Sequence, residues 1–141
     1  MTAYLEKRFE DFRVGDHAET SKSFTQEDVA AFARLSTDAH PLHLDEAYAA
    51  TTRFGTRVVH GMLTASLLSA ANALLLGTPG AISLEQTLRF VRPVVVGDTI
   101  TARSEIVELV PDRRQLRCRT TCVNQRGEVV LTGTAIEQKD A

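Results

Sequence analysis

The chain has 141 residues, of which 43% are hydrophobic and 24% charged, with a formal net charge of −2. That length suits one domain with its own core, and the balance is that of an ordinary globular chain. So small a charge exerts no bulk pull toward nucleic acid or a membrane surface, and no apolar run reaches the ~18 residues a membrane-spanning helix needs. The opening Met-Thr-Ala-Tyr-Leu-Glu-Lys-Arg lacks an apolar signal core, so a cytoplasmic protein is expected. No repeat, linker or low-complexity segment divides the chain, and residues 1–141 are expected to form a single domain.

In chain order, residues 17–24 read as a strand. Thr25 is a helix N-cap, with Glu27 and Asp28 well placed in the first turn. The helix runs to about Ser36 on an apolar stripe of Val29, Phe32, Ala33 and Leu35. Thr37 to Pro41 breaks it. Pro41 fixes φ and lacks an N–H, so no regular helix is expected there, and His40 before it is pushed toward an extended conformation. Asp45 can cap a short helix from Glu46 to Thr52 that ends near Gly55, and residues 53–60 link it to a third helix.

Within that stretch lies the densest chemistry of the sequence, Asp38-Ala39-His40-Pro41-Leu42-His43-Leu44-Asp45-Glu46, followed by Val58-Val59-His60-Gly61-Met62. Asp38 and His43 belong to a turn-like segment in which their side chains can converge. A carboxylate and an imidazole held together can share proton transfer near neutral pH. Asp and His are also ordinary loop residues, and Asp38 can instead cap the helix that follows.

Met62 to Leu76 contains no charged residue. A helix that is apolar or small all round is buried on most sides, so this is a core helix. Ser66, Ser69 and Ala73 recur along one side and let another backbone or a ligand approach closely; tight helix–sheet packing is the plain expectation. The remainder is strand-rich. Ile82 to Arg92 alternates, with Leu84, Leu88 and Phe90 on one parity. Pro93, Gly97 and Asp98 mark a turn. Strands over 99–110 and 114–123 flank the turn at Pro111-Asp112-Arg113, and Asn124-Gln125-Arg126-Gly127 is a hairpin signal before a last strand from Glu128 to Glu137. Cys118 and Cys122 share one strand face, too far apart for a disulfide, and are expected as buried or half-buried thiols. Long antiparallel strands following one buried helix suggest an α+β domain with a curved sheet wrapped around that helix.

The ordered set Asp38-x4-His43, Pro-Leu-His-Leu-Asp, Val59-His60-Gly61-Met62, Phe90-Val91-Arg92-Pro93-Val94 and Val96-Gly97-Asp98 resembles the MaoC-like family, above all its (R)-specific enoyl-CoA hydratases. The resemblance implies a hot-dog fold, a homodimer or higher homo-oligomer, and syn addition of water to a trans-2-enoyl thioester of CoA or acyl carrier protein. It implies Asp38 and His43 as the acid/base pair, Gly61 as the oxyanion donor at the start of the central helix, and Ser69 near the active water. Ser66, Ser69 and Asn72 are expected to border the acyl tunnel, with the polar Asn72 lacking a partner and so favouring short acyl groups. Many members carry Asn where this chain has His40, which is expected to orient the loop. His60 is expected to be structural, and Arg53, Arg57, Arg89 and Arg92 are available to CoA phosphates. No cofactor or metal is expected, although His40, His43, Asp38 and Asp45 offer a weak metal-ligand spacing. A hot-dog acyl-CoA thioesterase and a non-catalytic acyl-thioester-binding subunit are the alternatives.

Overall fold

The computed structural model describes residues 4–140. After a 3-10 turn at Phe9–Asp11 and strand β1 (His17–Ser23), helix α1 (Gln26–Ser36) starts from a complete capping box. The Asp28 N–H donates to Thr25 Oγ1 at 3.1 Å and the Thr25 N–H donates to Asp28 Oδ2 at 2.9 Å, so two donors at the helix start are satisfied reciprocally. Val29 and Ala33 are buried and Phe32 is half-buried. Leu35 departs from the expected stripe, being 85% exposed. With 3.6 residues per turn it stands about 160° around the helix from Ala33, beyond the arc that meets the core.

The segment at Pro41 also departs from expectation. Pro41–Leu44 forms a single helical turn, α2, with Pro41 as its first residue. A missing N–H is harmless at that position, because the first helical N–H has no acceptor within the helix. His40 is extended, with φ −61° and ψ 136°, as a residue before proline should be. Helix α3 (Glu46–Ala50) is capped as expected by Asp45, whose Oδ1 accepts from the Tyr48 N–H at 3.1 Å.

The central helix α4 (Gly61–Leu76) begins one residue before the expected start. It ends at Gly77, whose φ of 62° lies in the region that favours glycine, and a side chain there would strike the Leu5 carbonyl. Leu67, Leu68, Ala71 and Leu75 face the sheet and are buried, whereas Met62, Ser66, Ser69 and Ala73 are exposed. The side bearing Ser66, Ser69 and Ala73 therefore does not carry the tight helix–sheet packing expected of it; Leu67, Leu68 and Leu75, with Ala71, do.

Strands β2 (Ala81–Gln86), β3 (Arg89–Phe90), β4 (Thr99–Val110), β5 (Gln115–Val123) and β6 (Val129–Lys139) complete one antiparallel sheet in the order β1-β4-β5-β6-β2, with β3 also pairing β6. The single strand expected over 82–92 is thus two pieces. Between them the Thr87 hydroxyl accepts from the Thr134 N–H at 2.9 Å, so a side chain replaces the ladder partner. Ile82, Leu84 and Phe90 are exposed. Along β5, Leu116, Cys118, Thr120 and Cys122 are fully buried on one parity. Both cysteines are free, and burial pushes the thiols up to about 11 and about 12, leaving them protonated and unreactive. The sheet edges are β1 on one side and β2 with β3 on the other. Arg103 of β4 and Arg117 and Arg119 of β5 lie inside the sheet, paired with Glu19, Glu105 and Glu108 at 3.0–3.4 Å.

Candidate active site

The site is assembled where α1, α2 and the start of α4 meet. Thr37 closes α1 in the left-handed conformation, and the chain turns back over its last turn. Asp38 is then held at three backbone and side-chain points. Its N–H donates to Ser36 Oγ at 3.1 Å, its carbonyl lies 2.9 Å from His60 Nε2, and its Oδ1 accepts from the His40 N–H at 3.3 Å. Oδ2 remains, and it lies 3.9 Å from His43 Nε2.

His43 is fixed from its other side. Its Nδ1 lies 2.6 Å from the Val58 carbonyl, a contact that requires a proton on Nδ1 and so leaves the Nε2 lone pair turned toward Asp38. The Val58 carbonyl is in turn positioned by short contacts of its neighbours: the Val58 N–H to Leu42 O at 3.2 Å and the Val59 N–H to Val94 O at 2.7 Å. The Glu46–Arg57 ion pair at 2.9 Å ties α3 to the same link. His60 stacks on the His43 ring at 3.8 Å with an interplanar angle of 23°, and Phe32 meets the His60 ring edge-on at 4.8 Å. His60 is 2% exposed and its Nδ1 has no hydrogen-bond partner among the described residues. It acts as the wall that holds both Asp38 and His43 in place.

A gap of 3.9 Å is too long for a direct hydrogen bond but allows one small molecule to bridge both atoms. Gly61 opens on the same cavity of about 400 Å³, walled by Phe32, Met62 and Phe90. As the first residue of α4, its N–H has no acceptor within the helix, and the helix dipole adds positive potential there. A Cβ on Gly61 would lie 2.8 Å from Phe90 Cε1, so glycine also lets the aromatic wall close over the helix end.

His40 rather than Asp38 caps α2: its Nδ1 accepts from the Leu42 N–H at 3.1 Å. Asp45 is likewise occupied by its capping bond, so the expected spacing for metal ligands is spent on helix starts. Asp38, His43 and His60 do bring ligand-type atoms within 4.8 Å of one another. Stacked rings, however, direct their in-plane lone pairs along parallel planes and not at one ion, a poor match to the converging ligands a metal centre needs.

Ser66 and Ser69 line a groove of about 400 Å³ that shares Phe32 and Met62 with the dyad cavity. Asn72 lines that groove too, but it is buried and fully engaged. Its Nδ2 donates to Glu137 Oε1 at 3.2 Å, and its Oδ1 accepts from Ser104 Oγ at 2.5 Å. The expectation of an unpartnered amide at position 72 is therefore wrong. Its partners stand on β4 and β6, where a sequence offers no pairing signal. The Val58 carbonyl was silent in the sequence, since a backbone acceptor carries no motif, and Phe32 and Phe90, named there only as apolar positions and part of a family motif, stand here as the aromatic walls of the site.

A long helix cradled by one antiparallel sheet, with a carboxylate and an imidazole at its N-terminal end, defines a hot-dog domain carrying an acid/base site. The family model described as MaoC like domain matches residues 11–129, and the chain belongs to that family. It is 44% identical over 127 residues to an (R)-specific enoyl-CoA hydratase of Rhodospirillum rubrum, covering 90% of this chain and 88% of the relative. A 3-hydroxybutyryl-CoA dehydratase of Methylorubrum extorquens is also 44% identical, over 91% of this chain and 81% of its own length. The solved (R)-hydratase from A. caviae, described as involved in PHA biosynthesis, superposes with a TM-score of 0.89 at 44% identity, covering 92% of this chain and 98% of that one.

Proposed function

We propose that this protein is an (R)-specific enoyl-CoA hydratase, acting in reverse as a 3-hydroxyacyl-CoA dehydratase. The observation that carries the reading is the pair of facing atoms, Asp38 Oδ2 and His43 Nε2, 3.9 Å apart with the imidazole tautomer set by Val58. One water bridges them. As its oxygen bonds to Cβ of a trans-2-enoyl thioester, the water's O–H bond breaks, the pair takes that proton, and the pair then delivers it to Cα. Both act from one face, so the addition is syn. The π electrons pass through Cα to the thioester oxygen, and the Gly61 N–H stabilises the enolate charge that develops there. Delivery of the proton to Cα restores the pair.

Ser66, Ser69 and Asn72 border the groove that takes the acyl chain, and Ser69 is assigned to the side nearer the active water by the family resemblance alone. The substrate is an acyl-CoA or acyl carrier protein thioester, without cofactor. The whole chain, 1–141, forms one such domain, and a cytoplasmic setting is part of the same reading. A homodimer accompanies it, supported by the bare small-residue side of an uncharged helix and by an edge strand with Ile82 and Leu84 exposed. Among the described residues no helix is long and apolar enough to cross a membrane.

Incubation with crotonyl-CoA tests the reading. The enoyl absorbance should fall while no free thiol appears, and the product should be the (R)-3-hydroxy isomer. Release of CoA would point instead to a thioesterase.

A further inference from the structure

The core of the domain is interrupted by a polar layer that the hydration chemistry leaves unused. Along β4, Ser104 falls between Ala102 and Ile106; along β5, Thr120 falls between Cys118 and Cys122; along α4, Asn72 falls between Leu68 and Leu75. Their apolar neighbours belong to two separate clusters, one on each side of this layer. At its centre is a carboxyl. Glu137 is 2% exposed, accepts from Ser83 Oγ at 2.8 Å and from Asn72 Nδ2 at 3.2 Å, and joins none of the ion pairs among the described residues.

A carboxyl without a counter-charge is an unusual thing to bury. Burial holds its proton affinity above the ordinary carboxylate range, against the Ser83 hydrogen bond. Its acceptor capacity is also unfilled: a carboxylate offers about four lone-pair sites, while one hydroxyl proton and one amide proton occupy two. Glu137 borders a cavity of about 310 Å³ whose wall includes Ser69, Asn72 and Ser83. The same three residues line the groove next to the dyad cavity. An acyl chain that starts at Asp38 and His43 and follows this groove therefore runs toward a polar end, where a purely alkyl terminus would displace water and give no hydrogen bond in return.

We propose that Glu137, with Ser83 and Asn72, receives a hydroxyl group at the distal end of the acyl chain, so that the preferred substrates are enoyl thioesters bearing such a hydroxyl. The proposal rests on the hydratase reading above and names its substrate class. A hydroxyl suits this position because it donates to a carboxylate and accepts from a carboxylic acid, and so fits Glu137 in either protonation state. A site built to hydrogen-bond a hydroxyl discriminates strongly against the analogue lacking it, since its own polar groups are then left unpaired.

The test compares kcat/KM for trans-2-enoyl-CoA esters of increasing length, each with and without a terminal hydroxyl, alongside crotonyl-CoA. At the length that reaches Glu137, the hydroxylated ester should be favoured by about tenfold or more. Glu137→Val should lower that ratio to one or below, and Glu137→Gln, which keeps an acceptor of the same size, should retain a preference. Turnover of crotonyl-CoA with no preference for the hydroxyl at any length would overturn this proposal while leaving the hydratase reading intact. A preference that survives Glu137→Val unchanged would overturn it as well. No turnover of crotonyl-CoA or of any ester would sink the hydratase reading and this proposal with it. If Glu137→Val does not fold, the series on the wild-type protein alone decides.

Discussion

Two residues carry most of what the site can do, and each is defined by what pins its far side. His43 would be an ambiguous imidazole without the Val58 carbonyl at 2.6 Å, and Asp38 a free loop carboxylate without Ser36, His40 and His60. The Asp-x4-His spacing made the pair legible from sequence because both residues fall within one short turn. Asn72 was legible as a groove residue but misjudged in its chemistry, because Glu137 and Ser104 reach it from strands distant in sequence. Glu137 also makes a prediction about stability. Its carboxyl is raised from its ordinary value by burial, so the folded state holds that proton more tightly than the unfolded chain. Its contribution is fully present below the ordinary carboxylate value and is lost as pH rises through the raised one. Tm of the wild type should therefore lose ground, relative to Glu137→Gln, as pH is raised from about 4 through neutrality. Parallel Tm curves for the two proteins would contradict this.

At the level of elements, helix starts and strand parities were the clearest signals. Thr25, Asp28 and Asp45 cap as their residue types demand, and β4 runs over the expected 99–110. The failures have physical causes. Pro41 carries the signature of a breaker yet is the first residue of a helix; the two roles differ only in whether a residue before it can cap, and His40 does so through a ring nitrogen. The strand expected over 82–92 divides because Thr87 uses its hydroxyl in place of a backbone partner. The capping box of α1 is the most exposed to test. Thr25→Ala removes the acceptor for the Asp28 N–H, and should cost about 1 kcal/mol of stability in chemical denaturation. Because α1 carries Phe32 and Ser36 to the site, kcat should fall less than stability does if the packing of α1 holds. A loss below about 0.3 kcal/mol would show that the cap is redundant.

At the scale of the molecule, a single chain leaves apolar surface bare. The uncharged helix exposes Met62, Ser66, Ser69 and Ala73, and β2 ends the sheet with Ile82 and Leu84 uncovered. Unpaired strand edges and apolar surface of this kind are normally covered. Sedimentation at micromolar concentration should find a dimer or a larger homo-oligomer, and Leu84→Lys on the edge strand should shift it toward monomer. A folded, active monomer at that concentration would refute the inference. The overall architecture was readable because an uncharged stretch of 16 residues followed by long alternating strands has few compact solutions. Which residues of the helix face the sheet was not, since small and large apolar residues alternate around it.

The central claim, that Asp38 and His43 act as one acid/base unit on a single water, is tested most directly by a double-mutant cycle on crotonyl-CoA hydration. Asp38→Asn keeps the shape but loses the basic oxygen, and His43→Gln keeps a polar side chain that cannot titrate. Each should lower kcat by about a hundredfold or more with little change in KM, as removal of a general acid or base does. The double mutant should be scarcely worse than the poorer single, because groups that act as a unit are non-additive. His40→Asn, which keeps an acceptor at the α2 cap, should retain most of the activity, and circular dichroism should show all four variants folded. Multiplicative losses in the double mutant, or a dead His40→Asn beside an active His43→Gln, would contradict the assignment.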